Sequence, residues 1–401
     1  MLPDGGGMRG KGVRSAICHL GLCTEYEKTS SVQSPSGMKR PPDGGGMRGS
    51  MRVIHMDSGL GNQMLDYAEY LAIREANPDG DYYLETLIYD LPHMPGMFSQ
   101  WNGYELERIF GIHVPNVRQL FTQEQWQRIL ERVSASHFWE EDWNYAPYIV
   151  EALREEGLAL QNMIGDRRPA LQRPDDLKTK LRGRLTDFFG TAFGYHMKRY
   201  LRKALEKKIV EKENSETDVF RKYPQEVFTG HSLAFRFKGF GLDRIEDQVR
   251  EAFRFPPFSD ERNSELLERI RSVNSVAVHA RRSDLLSVNG NCYRYGFFRR
   301  CVNYIRKHVP DPVFFFFCDE KSAGWCEENE GIFGLDFGKD EVHFVSWNTG
   351  TESYRDMQLM AECRHNIFTQ SSFGFWGAWL NRNPDKITCA PDPLFLSTNS
   401  F

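Results

Sequence analysis

The sequence predicts an α/β protein of two facing Rossmann-like domains, the C-terminal one a five-stranded doubly wound parallel sheet. Three observations carry this expectation. Short apolar runs alternate with helical patterns through the last third of the chain, as they do when helices cover both faces of a parallel sheet. A separate strand, Gly-rich turn and helix pattern spans 52–76, far upstream, and so begins a second sheet. With 401 residues, the chain is also too long for one ordinary domain.

The elements follow in order. Residues 1–50 are set aside, because the octapeptide Pro-Asp-Gly-Gly-Gly-Met-Arg-Gly occurs at 3–10 and again at 42–49. A duplicated Gly-rich stretch without apolar period reads as an expression-derived leader or disordered tail. Folded structure is expected from Met51. A first strand covers 52–56, and the helix after it puts Met64, Tyr67, Ala68, Leu71 and Ala72 on one face. A second strand is expected at 82–87. The stretch 90–260 is rich in helical patterns and shows no strand alternation, so 51–260 reads as one domain with a helical insertion.

Within that insertion, 177–212 is basic, with Phe188, Phe189, Phe193 and Tyr200 interleaved among Lys and Arg. Two readings stand open: a helix for a membrane surface or an anionic lipid-linked substrate, or a plain solvated face. The C-terminal domain, 261–401, has expected strands at 276–279, 313–318, 342–345, 366–369 and 387–390. Helices are expected between them at 297–308, 322–329, 353–363 and 373–381.

Composition limits the function classes. Fifty-one basic residues against 55 acidic ones leave a net charge of −4, which recruits no nucleic acid. No run of 18 apolar residues and no secretory leader pattern occurs, so a cytoplasmic protein is expected, with contact to the inner membrane resting on 177–212 alone. Cys18 and Cys23 fall in the leader, and the other six cysteines all lie beyond residue 291 without metal-ligand spacing. Buried reduced thiols are expected, and no metal site.

Three motifs carry chemistry. His279-Ala280-Arg281-Arg282-Ser283-Asp284 follows an expected strand end, where ligands bind in such sheets. Two forked guanidinium groups there suit phosphate oxygens, and Asp284 orients one of them or accepts from a sugar or base. Ser371-Ser372-Phe373 opens a helix after another strand; hydroxyls and free amides at a helix start bind phosphate, unless they merely cap it. Phe375, Trp376 and Trp379 behind them offer a stacking wall, although Trp379 reads better as core. Ser58-Gly59-Leu60-Gly61-Asn62-Gln63 forms the upstream turn, where glycines allow close backbone approach to a ligand. A rival reading makes it a dinucleotide fingerprint with Glu85 as ribose-binding acid, but Met64 stands where a third Gly or Ala belongs.

Gly59-Leu60-Gly61-Asn62-Gln63-Met64, the His-x-Arg-Arg-x-Asp segment and the Ser-Ser-Phe-x-x-Trp-Gly-Ala-Trp-Leu block at 371–380 resemble the bacterial α-1,2-fucosyltransferases of glycosyltransferase family 11. The resemblance covers 51–80 and 265–395 well and 90–260 loosely. It implies a two-domain GT-B enzyme that uses GDP-fucose, inverts the anomeric centre and needs neither metal nor cofactor. The acceptor it implies is an oligosaccharide or glycolipid ending in β-galactoside, bound by 51–260, with the donor on 261–401. His279, Arg281, Arg282, Asp284, Ser371, Ser372 and Phe373 would hold the donor. Arg281 would meet the charge growing on the leaving phosphate, and Asp57 is the candidate base. Ser58, Gly59, Gly61, Asn62 and Gln63 would line the cleft. The rivals are a non-catalytic sugar- or nucleotide-binding protein on the same fold and an NAD-dependent dehydrogenase.

Overall fold

A computed structural model describes residues 51–92, 102–140, 146–162, 184–216, 219–224, 226–229, 234–282 and 286–401. The leader, the first part of the basic block and Asp284 lie outside the described residues.

The first sheet contains β1 (Met51–His55), β2 (Asp81–Glu85), β3 (Gln161–Asn162) and β4 (Val227–Thr229), in the order β2-β1-β4-β3 and all parallel. β3 and β4 fall where the sequence shows no strand alternation. At two and three residues they are too short for a period of two to register. The expected strand at 82–87 ends at Glu85, because Leu87–Tyr89 curls into a 3₁₀ turn whose first amide donates to the Glu85 carboxylate. The helix Leu60–Ala76 begins a turn earlier than its apolar period indicates. Gly61, Asn62 and Gln63 hide that turn from any apolar count. Helices Gln123–Ala135 and Ala146–Glu155 cover the sheet's outer face, with Trp126, Ile129 and Leu153 packed on Val53 and Phe228.

The second sheet has six strands rather than five. They are β5 (Asn274–His279), β6 (Pro312–Phe317), β7 (Val342–Val345), β8 (His365–Phe368), β9 (Thr388–Ala390) and β10 (Asn399–Ser400). The order is β10-β9-β8-β5-β6-β7, all parallel. β10 was not expected because Asn399 and Ser400 form no apolar run; only pairing with Cys389 and Ala390 makes them a strand. Phe314 to Phe317 are all buried. Alternate residues of β6 feed the two faces, Phe314 and Phe316 one way, Phe315 and Phe317 the other. That is why the run is uniformly apolar instead of alternating. The helix Leu286–Arg294 was not expected either; with Ser, Gly and two Asn among nine residues it shows no apolar face.

Strand order reverses between β5 and β8, the topological switch point at which a doubly wound sheet opens a crevice beyond its carboxyl ends. Facing it, helix Leu60–Ala76 packs on helix Ser372–Leu380. One apolar cluster runs through both units, from Ile54 and Met64 to Phe317 and Trp376. The six cysteines from Cys292 onward are buried and unbonded.

Candidate functional site

The site assembles at the reversal. His279 ends β5, in register with Phe368 at the end of β8, so the Arg281-Arg282 and Gln370-Ser371-Ser372 segments emerge side by side. Asn289 holds them together. Its buried amide donates to the Arg281 carbonyl at 3.3 Å and accepts from the Gln370 backbone N–H at 3.0 Å. No sequence signal marked Asn289, since its role depends on two loops meeting.

The Arg282 guanidinium sits over the Trp325 ring, its carbon 3.7 Å from the ring centroid, a cation–π contact that restrains the side chain. His279 is buried and tilted against Phe373, ring centroids 5.7 Å apart. Burial, then the nearby Arg281, push its pKa down to about 3, so the ring stays neutral at ordinary pH. Among the described residues, His279 Nδ1, Arg282 Nε and Thr369 Oγ1 are buried without a hydrogen-bond partner. Polar atoms gathered at a strand end with their bonding capacity unused suit a ligand rich in phosphate and hydroxyl oxygens.

The second motif divides. Ser371 caps the helix Ser372–Leu380, its Oγ accepting from the Gly374 amide at 3.4 Å. Ser372 Oγ donates to Asn62 Oδ1 across the seam. Phe375 and Trp376 are core and form no stacking wall; the Trp376 indole donates to the Gly61 carbonyl at 2.9 Å. Trp379 carries the Arg250 guanidinium over its ring at 4.2 Å.

The Gly-rich turn works differently from the expectation. A Cβ at Gly61 would sit 2.5 Å from the Phe373 backbone nitrogen and 2.7 Å from the Ser372 carbonyl carbon. What approaches closely is the C-terminal helix, not a ligand. Gly59 is extended, and the left-handed residue is Ser58, at φ 59°. Gln63 is buried and structural. Its amide donates to the Ser58 and Gly103 carbonyls at 3.1 and 2.9 Å and accepts from the Glu105 N–H at 2.8 Å.

Beneath this turn lies a buried ionisable group that the motifs did not reveal. His55 Nδ1 bonds Glu85, and His55 Nε2 lies 3.9 Å from Asp57 Oδ2. Asp66 accepts from the Asp57 N–H at 3.3 Å, and Glu69 is buried one turn on. Burial works against a charged His55, but Glu85, then Asp57 and Asp66, raise its pKa above the ordinary value. Glu85 also accepts from the Leu87 N–H. It is committed to these partners, so the dinucleotide reading loses its ribose-binding acid. Asp66 and Glu69, two acids on the inward face of an apolar helix, were the available signal.

Comparison with known proteins identifies the family. The profile of Glycosyl transferase family 11 matches residues 193–397. An alpha-1,2-colitosyltransferase of Escherichia coli is 36% identical over 146 residues, 34% of this chain and 47% of that protein. A galactoside alpha-(1,2)-fucosyltransferase 1 of Saimiri sciureus is 29% identical over 168 residues, 38% of this chain and 44% of that protein. The chain thus matches a little under half the length of these relatives. Among solved structures, the fucosyltransferase NodZ from Bradyrhizobium superposes with a TM-score of 0.39 at 14% identity, over 82% of this chain and 92% of that one. The two parallel-sheet units make the GT-B-like α/β architecture expected from the sequence. With the profile spanning just over half of its residues, the Arg281-Arg282 segment and the Ser372–Leu380 helix included, the chain belongs to glycosyl transferase family 11.

Proposed function

We propose that this glycosyltransferase moves L-fucose from GDP-fucose to the 2-hydroxyl of a terminal β-galactoside, with inversion. The observation that carries the reading is the Arg281-Arg282 pair at the β5–β8 switch point, beside the start of the helix Ser372–Leu380. Names of relatives add the α-1,2 linkage.

In this reading the acceptor hydroxyl attacks the anomeric carbon, and the bond from that carbon to the β-phosphate oxygen breaks. Negative charge grows on GDP. Arg281 meets it with a forked donor, Arg282 is restrained by its contact with Trp325, and the helix start adds amides. Asp57 receives the hydroxyl proton, and His55 holds that carboxylate from behind. No step requires a metal, so activity should survive EDTA.

The similarity to a colitosyltransferase favours one second reading, the same transfer with a donor sugar lacking the 3-hydroxyl. A site that hydrogen-bonds this hydroxyl would discriminate by about 10⁴-fold. Incubation of the protein with GDP-fucose or GDP-colitose and a panel of β-galactosides, followed by linkage analysis, tests both. Faster transfer from GDP-colitose would replace the fucosyl assignment. Transfer from neither donor, or a linkage other than α-1,2, would refute the reading.

A further inference from the structure

The helix Ala192–Ala204 is amphipathic in the wrong sense. An ordinary surface helix turns its apolar stripe to the body and its charges to water. Here the inward face carries Tyr195, Lys198, Arg199 and Arg202. Tyr195 packs on Tyr295 at 5.2 Å, Lys198 lies 5.7 Å above the Phe189 ring, and Arg202 pairs with buried Asp392 at 3.0 Å. The outward side is apolar: Phe193 is 71% exposed and Tyr200 74%, with Leu201 and Leu205 beside them. Leu185 and Phe188, just upstream, are exposed as well. The plain solvated-face reading required the reverse. Exposing this much aromatic and Leu surface together is costly in water.

Charge identifies what covers it. From 184 to 212 there are eight Lys or Arg against three Asp or Glu, in a chain whose net charge is −4. Lys203 on this helix, and Lys207 and Lys208 at the start of the next, Glu206–Glu216, are exposed. A second copy docked by two-fold symmetry would set two such basic patches against each other. An anionic lipid surface offers both terms at once: headgroup charge for the lysines and an acyl boundary for the rings. No described helix is long and apolar enough to cross a membrane. We infer that the outward face of 184–212 is a peripheral docking surface for an anionic bilayer, with Phe193 and Tyr200 entering the interface and Lys203, Lys207 and Lys208 over the headgroups.

The test is co-sedimentation of the full chain with vesicles. Mixed phosphatidylglycerol–phosphatidylcholine vesicles should pull the protein down, pure phosphatidylcholine should do so at least about tenfold less, and high salt should release it. The double change Phe193→Ser with Tyr200→Ser should cut binding at least about tenfold. Its melting should stay unchanged, since both rings are exposed. Lys203→Gln, Lys207→Gln and Lys208→Gln together should remove the preference for phosphatidylglycerol. Absence of vesicle binding, or binding indifferent to the Ser changes, would overturn the inference. So would a dimer in solution that the Ser changes dissociate, which would make the occupant a second copy.

Discussion

Arg281 and Arg282 are neighbours with different surroundings, and single substitutions should separate them. Arg281→Lys keeps the charge but loses the fork, so turnover should fall about a hundredfold or more with melting unchanged. Near-normal turnover would return the segment to a helix-capping role. Arg282→Lys should be milder in turnover and should weaken GDP binding instead, because it gives up the guanidinium contact on Trp325. Asp57→Asn should depress turnover and leave GDP affinity intact, since Asp57 follows β1 of the other sheet. The buried His55 gives a pH signature. Its folded pKa is raised above the ordinary 6.5 by Glu85, Asp57 and Asp66, against the effect of burial. The imidazolium's stabilising contribution is therefore full below the unfolded value and lost as pH rises through the folded one. Urea midpoints of His55→Gln should fall furthest below the parent at acid pH and converge on it toward alkaline pH. A gap that widens with rising pH would show that His55 is neutral in the fold.

The seam between the helices Leu60–Ala76 and Ser372–Leu380 is where one atom should matter most. Gly61→Ala places a Cβ 2.5 Å from a backbone nitrogen, and no rotamer can relieve a backbone clash. The helices must part, at about 1–3 kcal/mol, and the Trp376–Gly61 and Ser372–Asn62 hydrogen bonds lengthen with them. A melting temperature several degrees lower is expected in Gly61→Ala. An unchanged value would mean that the turn yields and that the seam does not hold the two helices together. Gly374→Ala offers a comparison on the donor side, since its Cβ would meet His279 Nδ1 at 2.5 Å. There the displaced neighbour is a side chain at the switch point, so GDP binding should suffer along with stability.

On the scale of the whole molecule, a nucleotide that binds only the folded chain raises its melting point by mass action, about 2.7 kcal/mol at a hundred times its Kd. GDP should stabilise the protein, with UDP, ADP and NAD weaker. Stabilisation by NAD without GDP would revive the dehydrogenase reading. Deletion of residues 1–50 should leave melting and turnover unchanged, and a lower melting temperature would show that the duplicated stretch packs. The sequence by itself determined the strands long enough to show a run, such as Phe314–Phe317 of β6, and the motifs at 279–282 and 371–373, because apolar runs and glycine turns are local properties. It could not show β3, β4 or β10, whose two or three residues become strands only through their partners. Nor could it show which of the glycines and polar residues face a ligand and which face the protein. Gly61 and Gln63 read as cleft residues and proved to be packing and loop-holding residues, while Asn289, Trp325 and His55 carried no motif. The reason is physical. Which side chain fills a given space depends on elements hundreds of residues apart, such as Asn62 and Ser372, and only the packed chain brings them together.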